Sequence, residues 1–160
     1  MAKWTIGSGI DTYIADLNKL LVDEDTIIRE AIYKGAKLVI DRVVSEINNI
    51  PARNYDKESD LVDGITNRQK QGLLDSIGIA DIRKDGGFVN MKVGVDGYNS
   101  QVTEKFPRGQ PNALIVRSLE AGTSFRYRNP FMTRATNASR AAAESAMKNE
   151  LDAQIKKRIH

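Results

Sequence analysis

The chain has 160 residues, 41% hydrophobic and 28% charged, with a formal net charge of +3. That composition suits one globular domain able to bury about 68–70% of its unfolded surface, and it excludes intrinsic disorder. Cysteine is absent, which removes disulfides, thiolate nucleophiles and thiolate metal ligands, and no run approaches the ~20 apolar residues of a membrane span.

From the N-terminus, MAKWTIGSG carries one lysine and no apolar core region, so no secretory signal is expected. Lys3–Ile6 reads as a short strand closed by Gly7-Ser8-Gly9. Asp11 then caps a helix whose Tyr13, Ile14, Leu17, Leu20 and Leu21 share one face. Asp23, Glu24 and Asp25 place negative charge at the start of a second, long helix, where the macrodipole favours it. In that helix Ile28, Ala31, Ile32, Gly35, Val39, Val43, Ile47 and Ile50 recur at three- and four-residue steps, and Pro51 ends it. About 25 residues at 1.5 Å rise make a rod of roughly 37 Å. Gly35 costs ~1 kcal/mol relative to alanine inside a helix, and close approach of another backbone is the expected compensation.

Residues 51–65 are polar, contain proline and glycine, and read as an exposed loop. Thr66 and Gln69 have capping-box spacing at the start of a short helix through Leu73 and Leu74. A hairpin follows. Ile77, Ile79 and Ile82 precede Lys84-Asp85-Gly86-Gly87, and Phe88, Val89, Met91, Val93 and Val95 return. Residues 98–112, with Pro107, Gly109 and Pro111, predict a second, mobile loop. A helix is predicted from Asn112 to Leu119. From Pro130 a last helix runs to the C-terminus, with Ala135, Ala138, Ala142, Ala146, Leu151, Ile155 and Ile159 as a thin apolar stripe. So small a stripe predicts completion by a neighbouring subunit.

Catalytic chemistry finds few components here. The one histidine is His160, at a chain end where side chains are usually solvated. Without cysteine or an internal histidine, the common nucleophile–base pairs and transition-metal sites lack their parts. Asp85 and Asp96 suit turns better than a hard-cation site, and Gly7-Ser8-Gly9 lacks the third glycine of a dinucleotide loop. No cofactor and no enzymatic activity are expected. Charge is distributed unevenly. Residues 1–66 hold 8 Lys/Arg against 12 Asp/Glu, whereas residues 67–160 hold 16 against 9. The basic half suits an acidic neighbour or nucleic acid. Phe125-Arg126-Tyr127-Arg128 has the stacking and phosphate-contacting residues of a nucleic-acid loop, but one short loop lacks an extended basic groove, and the better fit is a loop that packs its aromatics on the core and turns its arginines to water.

Leu119-Glu120-Ala121-Gly122-Thr123, then Pro130-Phe131 and Arg134-Ala135, resembles a signature of the HK97 gp10-like family of tailed-phage tail-completion or neck proteins. Thr133-Arg134-Ala135 stands where that family often has Arg-Pro-Ala. The order of elements along nearly the whole chain is similar as well. The resemblance implies an α+β fold, with an antiparallel β-sheet packed against the long Asp25–Ile50 helix and a long C-terminal helix alongside. It further implies a non-enzymatic virion protein, made in the bacterial cytoplasm and built into the head–tail junction. Its partners would be other neck and tail proteins and further copies in a ring, with non-specific contact to DNA in the channel and none with a membrane. Phe125, Arg126, Tyr127, Arg128, Pro130 and Phe131 are the expected contact residues, together with the 51–65 loop. Glu120, Gly122 and Thr123 are expected to shape the turn. The alternative is a small basic nucleic-acid-binding protein.

Overall fold

The computed structural model describes residues 24–54, 61–80, 83–85 and 88–159. The expected strand at Lys3–Ile6, the helix opening at Asp11, Ile82, the Gly86-Gly87 turn and His160 lie outside the described residues. Helices dominate an α+β fold. They are α1 (Glu24–Asn49), α2 (Asn67–Ser76), α3 (Asn112–Ala121) and α4 (Phe131–Ile159). Between α2 and α3 run the short strands β1 (Gly78–Ile79), β2 (Arg83–Asp85), β3 (Phe88–Asn90) and β4 (Val93–Gly94).

The two long helices lie antiparallel and make the most extensive contact of the fold. Lys34 Nζ stands 3.8 Å from Glu150, and at the other end Glu46 accepts from Arg134 Nε at 3.0 Å. Gly35 sits in the seam between them. A Cβ there would meet the Met147 side chain and lie 3.0 Å from the Ala143 carbonyl oxygen, so the close approach expected at this glycine is that of α4. The buried face of α4 is Phe131, Ala135, Ser139 and Ala143. Of the predicted stripe only Ala135 is buried; Ala138 and Ala142 are exposed. Consecutive alanines at 141–143 make several helical phases equally apolar, and Phe131, inserted in the core, selects the one that is used. Ser139 enters the seam without loss because its hydroxyl donates to the Ala135 carbonyl at 2.7 Å.

One end of this helix pair carries the core. Val43 and Ile47 of α1 and Ile50 just after it pack with Ile65, Leu73, Ile115 and Leu119, and with Phe131 and Ala135 of α4. Glu46, almost fully buried, lies beside them and accepts from both Arg42 and Arg134, whose heads reach solvent. Lys70 of α2 closes the C-terminus of α1, donating to the carbonyls of Asn48 and Ile50 at 2.8 Å each. The predicted capping box is present. Thr66 Oγ1 accepts from Gln69 N at 3.1 Å, and Gln69 Oε1 accepts from Thr66 N at 3.0 Å.

The hairpin is shorter than the sequence alternation suggests. β2 and β3 pair antiparallel with Asp85 opposite Phe88, and β1 pairs with β4 with Ile79 opposite Val93. The two ladders are offset by one residue because the outgoing arm has one residue more between them, which breaks one long ribbon into two short ones. The partly buried Val95 and Ile77 bring this ribbon onto the core.

Residues 55–60 of the first predicted loop lie outside the described residues; the rest of it and the second loop are more tightly held than their composition implies. Residue 51–65 begins and ends at paired backbone. Ile65 N donates to the Pro51 carbonyl at 3.0 Å, Arg53 N donates to the Ile65 carbonyl at 2.8 Å, and Ile65 itself is in the core. The 98–112 segment, expected to be mobile, is tied down by buried amides. Asn112 Nδ2 donates to the carbonyls of Asp96 (2.8 Å) and Gly72 (3.1 Å). Gln69 Nε2 donates to Gln110 Oε1 at 2.5 Å, and Thr66 Oγ1 to Gln101 Oε1 at 3.0 Å. Buried polar groups that are mutually satisfied make a loop specific rather than loose.

Candidate partner-binding surface

The signature residues from Leu119 to Phe131 form the junction between α3 and α4. Leu119 is the last core residue of α3. Glu120 reaches across to the start of α4, where Oε1 accepts from Met132 N at 2.7 Å and Oε2 from the Thr133 hydroxyl at 2.7 Å. A carboxylate is well placed there, because the first amides of a helix lack intrahelical acceptors and the dipole is positive. Gly122 ends α3 at φ 75° and ψ 167°, a region open essentially to glycine alone. Its missing Cβ also leaves room for Arg128, whose Nε donates to the Glu120 carbonyl at 2.8 Å.

Beyond Gly122 the chain turns tightly. Thr123 N donates to the Arg126 carbonyl at 2.9 Å. The turn is anchored to the end of the 51–65 segment by two backbone bonds, Val62 N to the Phe125 carbonyl and Tyr127 N to the Val62 carbonyl, each 2.9 Å. Two of the sequence-predicted contact regions are thereby brought side by side.

The predicted contact residues separate by placement. Phe125 and Tyr127 are 44% and 54% exposed, and Arg128 is exposed. Arg126 points inward, buried, with Nη1 donating to Ser118 Oγ at 2.6 Å and the guanidinium carbon 6.0 Å from the Phe125 ring centre. Pro130 is half-buried, its carbonyl accepting the first helical bond of α4 from Arg134 N. Phe131 is fully buried in the core. Within this conformation the outward-facing members are therefore Phe125, Tyr127 and Arg128.

A cleft of about 390 Å³ opens beside the turn, between the 51–66 segment, the 98–112 segment and α3. Its apolar wall includes Val62, Ile65, Phe106, Leu114, Ile115 and Phe125. Arg53, Lys105 and Arg126 also line it, and no carboxylate does so among the described residues. Gln69 and Gln110 bring buried amides to it. Sequence reasoning did not assemble this cleft, since its residues come from four separate segments. The one available signal was the cluster of Asn and Gln from Asn99 to Asn112, too many amides for a loop that merely faces water.

Among the described residues no group of three or more acidic or histidine side chains is placed to hold a metal ion, and no helix is long and apolar enough to cross a membrane. No family model matches the chain, and comparisons with curated proteins and with solved structures give no match.

Proposed function

We propose that this protein is a structural component of a tailed-phage virion that completes or joins the tail at the head–tail neck, as one copy in a ring. The observation that carries the reading is the division of labour within the signature. Leu119, Glu120, Gly122 and Phe131 are occupied in building a rigid junction, and the junction holds two aromatics and an arginine out to solvent. Aromatic and arginine side chains on a rigid support are what protein interfaces use as anchors, because little conformational freedom is lost when they are buried. Head-to-tail contacts between such surfaces close into a ring when the rotation allows, and the acidic and basic halves of the chain would set their order.

The test is made on particles of the phage that encodes the chain. Phe125→Ala combined with Tyr127→Ala should leave the purified protein folded by circular dichroism, yet remove it from particles and leave heads and tails unjoined. Full infectivity with the doubly substituted protein would overturn the reading. Salt-dependent DNA binding by the purified chain, lost with Arg128→Ala, would instead favour a nucleic-acid-binding protein.

A further inference from the structure

We infer that the hollow beside Tyr98 receives the Phe125–Arg128 turn of a second copy of this chain, with Arg128 seated between Asp75 and Asp96. The inference rests on the reading of the protein as one copy in a virion ring, and it names the two surfaces that meet. A head-to-tail contact needs two different patches on one chain that do not overlap. The first is the turn after α3, already described. The second lies at the other end of α3, where the Asp96–Asn99 turn is held against the first residues of the helix. Asn112 N donates to the Gly97 carbonyl at 2.9 Å, Asn112 Nδ2 to the Asp96 carbonyl at 2.8 Å, and Asn99 N to the Gln110 carbonyl at 2.9 Å. The 10 residues of α3 separate the two patches by about 15 Å. Both can therefore be occupied at once.

Charge complementarity pairs the two ends. Tyr98 is 71% exposed, the most of any large hydrophobic side chain among the described residues, although its turn is firmly tied. The hollow beside it holds about 350 Å³, and Arg68 and Asp75 of α2 line it together with Asp96. Asp75 Oδ1 accepts from Gln71 Nε2 and Asp96 Oδ1 from Gly97 N, each at 2.7 Å. The second oxygen of each carboxylate accepts no hydrogen bond among the described residues, and neither carboxylate is in an ion pair there. Two carboxylates against one guanidinium leave the described lining net negative. At the other patch Arg128 is exposed and uses Nε on the Glu120 carbonyl, while both its Nη groups make no hydrogen bond or ion pair among the described residues. A guanidinium donates to two carboxylates while laying its plane on an aromatic ring, which a lysine ammonium does less well. The same two carboxylates repel a phosphate backbone, so this surface suits a basic protein segment and not nucleic acid.

Because the chain has no cysteine, introduced thiols report the contact without background from the chain itself. Ser100 at the hollow and Ser124 in the turn are both exposed. The full chain with Ser100→Cys and Ser124→Cys is built into particles of the phage and treated with a bismaleimide too short to span α3. Denaturing gels should show a ladder of multimers, with position 100 of one copy joined to position 124 of the next by mass spectrometry of the linked peptides. Either substitution alone should give no self-linked species. Arg128→Glu in the same background should lower the ladder at least about tenfold, and adding Asp75→Arg with Asp96→Arg should restore it. Tyr98→Ala serves as a second variant and should also lower the ladder while leaving the melting temperature unchanged. The inference is overturned by particles that contain the chain but give no ladder, or by self-linking of a single-cysteine chain. It is equally overturned by a ladder indifferent to Arg128→Glu and Tyr98→Ala, or by no recovery in the charge-exchanged chain. In those cases the parent chain is present in particles and the virion reading stands. A parent chain that never enters particles strikes the virion reading itself, and the contact falls with it.

Discussion

Phe125 and Phe131 lie in one short segment and carry the same side chain, yet one stands in solvent and the other fills the core. Truncation should separate them cleanly. Phe131→Ala removes a fully buried ring from a packed site and should cost about 3–5 kcal/mol in urea unfolding. Phe125→Ala should change stability by no more than about 0.5 kcal/mol, as for most exposed positions. Gly122 makes a second prediction at this scale. Its backbone conformation is nearly closed to any residue with a Cβ, and that Cβ would also press on Arg128 at 3.2 Å. Gly122→Ala should therefore cost about 1–3 kcal/mol, seen as a lower denaturation midpoint with an unchanged slope.

The α1–α4 pair shows what small residues do at the level of elements. Gly35, Ala31, Ala135, Ser139 and Ala143 let two helices approach closely, at the expense of the apolar area that larger side chains would bury. Stability there depends on fit more than on area. Gly35→Val would force its methyl groups into Met147 and the Ala143 carbonyl, and a loss of about 1–3 kcal/mol is expected from overpacking. The element boundaries themselves were largely legible. The α1 periodicity ended at Pro51, the Thr66–Gln69 box marked the start of α2, and the helix predicted from Asn112 to Leu119 falls within α3. The phase of α4 was not legible, because a run of alanines carries no preference for one face. The 98–112 segment was misread as mobile because proline and glycine spacing says nothing about which amides will be buried together.

Over the whole molecule, the hydrophobic core is gathered at one end of the long helix pair. Val39, Val43, Ile47 and the following Ile50 meet the residues of α2, α3, the ribbon and the start of α4, whereas Ile27, Ala31 and Ala36 in the first half of α1 are buried outside that cluster. Hydrogen exchange should reflect this gradient. Amides of residues 24–38 and 144–159 are expected to exchange through lower-energy openings than those of residues 39–49 and 131–139, because the main core cluster is built on the latter. Uniform protection along both helices would contradict it.

Local pattern determined the described helices and the residues of the α3–α4 junction, since caps, periodicity and glycine placement act over a few residues of chain. The direction each side chain of Phe125–Phe131 faces, and the joining of that turn to Val62, were decided only in three dimensions. The cleft belongs to the same category. Its cations and apolar wall come from segments distant in sequence, and their meeting depends on buried amide pairs such as Gln69 with Gln110. Short-range rules contain no term for such contacts, which form only when the packed core brings both partners out of water together.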